Sequence, residues 1–298
     1  MFKKVMVGVD SGATAKDAIR LGQELVAEGG ELILAHVHGG YDVYRNGMVL
    51  EWQLKEQQTA HKLLAELSAE TGVERVESYG ATNVGRGLHM LAEREGADLL
   101  VLGSTRRSLL GRVFLGDDTR DATNGAPCAI AVAPAGYSQH TGALKRIGVA
   151  YNQSSESHFA LDVARELAAV NHAAISVFEV VTLAGYWSYP YRVPYGDLPE
   201  EWISERRAKL DELSDVTPKV TFGDAAEELT QDSKSVDLMV VGSRDFGPFG
   251  RLLHSSTSAK LAHSCHCPLL ILTRANRESA ARTEHAEAVP AQTPAAVS

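Results

Sequence analysis

Short apolar runs alternate with amphipathic stretches along most of the chain. Val5, Met6, Val7 and Val9 form a run too short for a helix and bounded by Asp10 and Gly12, the pattern of a buried parallel strand over residues 4–9. Ala18, Leu21, Gly22, Leu25 and Val26 then recur at helical spacing, with Thr14 and Asp17 placed as a capping box and Gly29-Gly30 as the stop. The pattern goes on to predict a strand at 31–37, a loop, a helix near 51–71, a strand at 73–79, a helix over 84–95 and a strand at 98–103. A last helix and the strand Ala129–Ala133 close the unit. Strand alternating with helix five times predicts a parallel sheet covered on both faces, with right-handed crossovers.

The unit then occurs a second time. Asp98-Leu-Leu-Val-Leu-Gly103-Ser104 returns as Asp237-Leu-Met-Val-Val-Gly242-Ser243, 139 residues later, and the same offset carries Gly111-Arg112 onto Gly250-Arg251 and Cys128 onto Cys267. The first strand, Lys4 to Asp10, matches Arg146 to Asn152, and the first helical stripe returns as Ala160, Val163, Ala164, Leu167 and Ala168. A period this long marks a duplicated domain, since solenoid repeats run about 20–50 residues. The domains read as residues 1–136 and 143–274, with 134–144 as a short linker and the Ala-, Glu- and Pro-rich residues 275–298 as a disordered tail. Ligands of open parallel sheets sit at the carboxyl ends of the strands, where the strand order reverses. Those ends are Asp10, Val37 and Gly103 in one half, and Asn152, Val180 and Gly242 in the other.

Composition narrows the class. With 298 residues, 44% hydrophobic and 22% charged, the chain can bury a substantial core, which excludes wholesale disorder. The net charge of −9 argues against unspecific nucleic-acid binding. Three cysteines make no disulfide framework in a chain this long, which suits a reducing compartment. No apolar stretch approaches the roughly 18 residues of a membrane span, and the first is too short for a signal-peptide core. The expectation is a cytoplasmic protein without a nucleic-acid or membrane partner.

The chemistry-bearing motifs are mostly absent. There is no Gly-x-x-x-x-Gly-Lys-Ser/Thr run, no Gly-x-Ser-x-Gly elbow, and Asp10-Ser-Gly-Ala-Thr14 is neither a dinucleotide fingerprint nor a Ser-Gly-Gly-x-Asp-Ser pyrophosphatase loop. No carboxylates are paired for acid–base work, so enzymatic turnover is not expected. What remains is the segment after the fourth strand, Gly103-Ser-Thr-Arg106-Arg-Ser-Leu-Leu-Gly-Arg112-Val-Phe-Leu-Gly116-Asp117-Asp118-Thr119. A strand ending in Gly lets another backbone or a ligand approach, successive N–H groups form an anion-binding concavity, and a following helix adds its positive end.

This segment resembles the glycine-rich segment of the universal stress protein family, Gly-x2-Gly-x9-Gly-Ser/Thr, which wraps the phosphates and ribose of ATP. The resemblance covers both halves. It implies two tandem Rossmann-like domains of the adenine nucleotide alpha hydrolase-like type, each a five-stranded parallel sheet, paired through their last strands Ala129–Ala133 and Leu269–Thr273 as an intramolecular pseudo-dimer, with homodimerisation of chains as a further level. It also implies a stress-responsive binder of an adenine nucleotide, ATP with Mg as its companion cation, and little or no catalysis. Asp10 and Val37 match the adenine positions. Gly103, Ser104 and Gly116 match the backbone cradle, with Arg106 for phosphate and Asp117 and Thr119 closing the segment. The second half offers Asn152, Val180, Gly242, Ser243, Ser255 and Ser256.

Both copies depart from the pattern. In the first half the middle glycine is Arg106 and the hydroxyl position is Asp117, a carboxylate where a donor to phosphate belongs. Arg106, Arg107 and Arg112 offset it if they pair with phosphate. In the second half the later glycines are Asp245 and Ser255, the adenine position is Asn152, and Ser256, Thr257 and Ser258 keep hydroxyls. The first half, which keeps the base pocket and two glycines, is the preferred site. Plainer roles stand beside these: Asp10 as a helix cap, the arginines as solvated or salt-bridged, and Cys128 and Cys267 as small buried hydrophobes. In His263-Ser-Cys265-His266-Cys267 the spacing is too tight for the usual zinc site, so no metal is expected.

A competing function is an interaction protein that has let both sites decay. It would work through the loop at 186–202, where Tyr186, Trp187, Tyr189, Tyr191, Tyr195 and Trp202 make up half of the chain's nine Tyr and three Trp. That loop reads equally as a lid.

Overall fold

A computed structural model describes residues 1–40, 47–104, 112–113, 121–123, 125–182, 198–242 and 257–273. The first half runs β1 (Phe2–Gly8), α1 (Thr14–Leu25), β2 (Val26–Gly39), α2 (Gly47–Thr71), β3 (Arg75–Ala81), α3 (Val84–Glu95), β4 (Leu99–Gly103) and β5 (Ala129–Ala133). The second runs β6 (Arg146–Ala150), α4 (Ser155–Asn171), β7 (Ala174–Val181), α5 (Leu198–Asp211), β8 (Thr217–Phe222), α6 (Ala225–Asp232), β9 (Leu238–Gly242), α7 (Thr257–Leu261) and β10 (Leu269–Leu272). Within each half every ladder is parallel, as the continuous apolar runs require.

The two halves do not form separate sheets. One ten-stranded sheet has the order β3-β2-β1-β4-β5-β10-β9-β6-β7-β8, joined by antiparallel pairing of β5 with β10 through Val132–Leu269, Ala131–Leu270 and Ile130–Ile271. The physical reason lies in those strands: β5 and β10 are buried along their whole length, and an unpaired apolar edge would leave its backbone groups unsatisfied. The expectation of two five-stranded sheets is thereby corrected, although each half contributes five strands. One apolar core runs the length of the sheet on each face. Ala18, Leu21, Leu64, Ala164 and Leu210 belong to one, and Leu88, Leu91, Leu229 and Leu261 to the other.

Three local expectations also need correction. Helix α1 ends at Leu25, where Val26 turns extended and pairs at once with Phe2, so Gly29-Gly30 lies inside β2. The glycines serve a register irregularity there: a step of two along β1, Phe2 to Lys4, meets a step of five along β2, Val26 to Glu31, with Gly29 at φ 72°. Asp17 is no capping residue; it is 3% exposed and accepts from the backbone N–H of Gly136 (2.8 Å) and Ser138 (2.7 Å). The short linker at 134–144 is thereby docked on α1 through Gly136 and Ser138. Tyr137 adds a hydrogen bond from its hydroxyl to Glu24 and stacks on His140 at 5.4 Å. Trp202 falls within α5, not in a loop, and residues 186–197 and 275–298 lie outside the described residues.

The duplicated aspartates that precede β4 and β9 staple the sheet. Asp98 accepts from the N–H groups of Lys3 (2.8 Å) and Lys4 (3.1 Å), and Asp237 from those of Lys145 (3.0 Å) and Arg146 (2.9 Å). Asp237 also takes the Arg146 guanidinium at 2.7 Å. Burial alone would raise its pKa, but Arg146 and the backbone donors outweigh burial and hold it below the usual carboxylate value. A depressed folded-state pKa contributes stability above the unfolded value and loses it as pH falls through the folded one, below about pH 4. Asp237→Asn is thus expected to flatten the acid limb of stability against pH, measured by urea unfolding between about pH 2 and 5. An unchanged slope would refute this assignment.

Candidate functional site

In both halves the strand order reverses beside the first strand, between β1 and β4 and between β6 and β9. After β6 the chain makes a tight turn into α4. Asn152 Oδ1 accepts from Ser154 N–H at 3.2 Å, Gln153 takes a left-handed φ of 63°, and Ser154 caps the helix by accepting from Ser157 N–H at 3.3 Å. After β1, Asp10 makes the same turn with Gly12 N–H at 2.8 Å. Asp10 thus holds the turn before α1, while Ala13 occupies the N-cap without a side-chain cap.

The described second-half residues converge. Asn152, Val180 and Gly242 line one cavity of about 410 Å³, together with Ser154, Thr257 and Ser258. Phe178, Leu229 and Leu261 supply apolar wall, and Glu156 also lines it. Sequence reading missed the apolar wall; the signal was the alternation along β7, which puts Phe178 and Val180 on one face. Beside the cavity, Tyr151 is 7% exposed, and burial raises its pKa. Its ring meets His158 edge-on at 5.2 Å.

Gly103 and Gly242 have an identifiable task. A Cβ on Gly103 would lie 2.5 Å from the carbonyl oxygen of Thr14, and one on Gly242 2.2 Å from that of Glu156. The first turns of α1 and α4 pass directly over these strand ends, so only glycine fits whatever the ligand. Val37 is buried at the end of β2, where its methyls would meet a side chain at Gly87. Ser104 departs from the cradle expected of it. Its N–H (3.0 Å) and its hydroxyl (2.8 Å) both donate to Ala133 O, which ties the end of β4 to β5. Arg106, Gly116, Asp117, Thr119, Ser243, Ser255 and Ser256 lie outside the described residues.

No group of three or more His, Cys, Asp or Glu side chains among the described residues is placed to hold a metal ion. No described helix is long and apolar enough to cross a membrane.

Comparison with known proteins agrees with this architecture. The sequence profile described as "Universal stress protein family" matches residues 1–134 and 143–273. A universal stress protein of Mycobacterium tuberculosis is 27% identical over 204 residues, spanning 64% of this chain and 69% of its own length. One of Thermus aquaticus is 29% identical over 133 residues, 44% of this chain and 97% of its own. Among solved structures, a universal stress protein from Archaeoglobus fulgidus superposes with a TM-score of 0.66 at 13% identity, covering 91% of this chain and 98% of that one, which shows a shared fold. With the family profile matched twice along its length, the chain belongs to the universal stress protein family, in a form that carries the domain in tandem.

Proposed function

We propose that the protein is a cytoplasmic stress-response regulator that binds an adenine nucleotide as a signal, with at most slow, incidental hydrolysis. The observation that carries this reading is the second-half cavity, where three residues picked from the sequence meet at the strand-order reversal. Its volume is on the scale of small-molecule pockets. Val180 and Phe178 offer apolar surface to a flat base, and Asn152 offers an amide to its edge. In the first half, Asp10 and Val37 would hold adenine, Arg106 would pair with phosphate, and Asp117 would oppose it.

Titration calorimetry with ATP and adenosine tests both halves. Adenosine binding is expected to weaken about tenfold in Asn152→Ala, the scale of one hydrogen bond. Asp117→Ser is expected to strengthen ATP binding at least about tenfold while leaving adenosine unchanged, because adenosine has no phosphate to repel. If neither ligand binds the parent or either variant, the nucleotide reading fails and the interaction-protein reading takes its place.

A further inference from the structure

Cys265 and Cys267 flank His266 in the bend between α7 and β10, and their sulfurs lie 3.7 Å apart. Both side chains are buried, whereas Ser264 and His266 beside them are only half-buried. The Cys267 thiol outweighs burial in holding the Cys265 pKa below the ordinary thiol value, and the backbone N–H groups of Cys267 and His266 and the Ser233 side chain act in the same direction. Burial, then the bond to Cys265, pushes Cys267 up. Of the two touching sulfurs, Cys265 is the readier to lose its proton. The first half lacks it: the same offset of 139 puts Ala126 and Cys128 in these places, and burial pushes the lone Cys128 up to about 12.

The backbone of this bend is tied to the other half. Cys265 O accepts from Val113 N–H at 2.8 Å, and Val113 is fully buried. Val113 belongs to the glycine-rich segment of the first half, and the carbonyl of its neighbour Arg112 accepts from Ala135 N–H at 3.3 Å.

We propose that Cys265 and Cys267 are a peroxide-reactive dithiol that closes reversibly to a disulfide, and that closure is transmitted to the first half at Val113. The Cys265 thiolate attacks one oxygen of hydrogen peroxide. An S–O bond forms, the O–O bond breaks, and the departing hydroxide takes the Cys267 proton to leave as water. The Cys267 thiolate then attacks the Cys265 sulfenic sulfur, forming S–S and breaking S–O. The second hydroxide takes up the proton that Cys265 had released. Two thiols and one peroxide give one disulfide and two waters; a small-molecule dithiol reverses the reaction. Closure brings the sulfurs from 3.7 Å to about 2.05 Å within the same bend whose Cys265 carbonyl holds the Val113 N–H. None of this depends on nucleotide binding.

Both cysteines fall in the single tryptic peptide Leu261 to Arg274, and Cys128 falls in another. After brief peroxide treatment of the full chain and alkylation, the 261–274 peptide is expected to carry no alkyl groups and to weigh about 2 Da less, while the Cys128 peptide stays alkylated. Dithiothreitol should restore both groups. Hydrogen exchange at Val113 should quicken about tenfold on oxidation, the scale of one net backbone hydrogen bond. Cys265→Ala, which copies the first half's own residue, should abolish that response. A 261–274 peptide that remains doubly alkylated after peroxide overturns the dithiol. A disulfide that forms without changing exchange at Val113 overturns the coupling.

Discussion

Gly242→Ala is expected to destabilise the protein by about 3 kcal/mol, although it adds a single methyl group. That methyl would stand 2.2 Å from Glu156 O and 2.5 Å from the Glu156 carbonyl carbon, both backbone atoms in the first turn of α4. A side chain swings away from such an intrusion, but a helix turn held by its own hydrogen bonds must move as a unit. Gly103→Ala should cost nearly as much, since its nearest neighbours are Thr14 O at 2.5 Å and Thr14 Cβ at 3.0 Å. Gly223 is the control: the nearest atoms to its new methyl all belong to the flexible Glu228 side chain, at 3.0 Å and beyond, and the loss should stay below about 1 kcal/mol. Urea unfolding of the three variants measures the ordering. Equal, small losses would mean that α4 and α1 do not rest on these strand ends.

These glycines show how far the sequence was legible. Their repetition in Gly103-Ser104 and Gly242-Ser243 placed both at strand ends beside the strand-order reversal, where the structure has them. The reason for glycine was not legible, because the backbone that passes over each belongs to a helix more than eighty residues away. Asp17 is the same kind of case. Spacing from Thr14 made it a local cap, but its partners, Gly136 and Ser138, are distant in sequence. Gly29-Gly30 misled because a helix stop and a register irregularity both call for glycine, and only the pairing of Phe2 with Val26 distinguishes them. Asn152, Val180 and Gly242 could be placed because strand ends in a parallel sheet follow from topology. The apolar walls of that cavity come from three separate elements, so no local pattern announces them.

Ile271→Asp should have the larger effect and should reach both halves. Ile271 faces Ile130 across the antiparallel join, and neither exposes any surface. A carboxylate there would stand in the apolar cluster that holds Ile130, Val132, Val241 and Leu269. Burying it unpaired should cost about 4 kcal/mol or more, whereas Ile271→Val should cost only about 0.5–1.5 kcal/mol. The cost cannot stay local, because each face of the sheet carries one core that includes residues of both halves. Hydrogen exchange of Ile271→Asp should therefore show β1 and β6 losing protection in the same step, although β1 lies three strands from β10 and β6 lies two. Loss of protection in β6 alone, with β1 still protected, would mean that the join is a contact between two independently stable domains. Joint loss would mean that a chain whose duplicated units each complete a five-stranded unit has made them one folding unit by pairing their last strands.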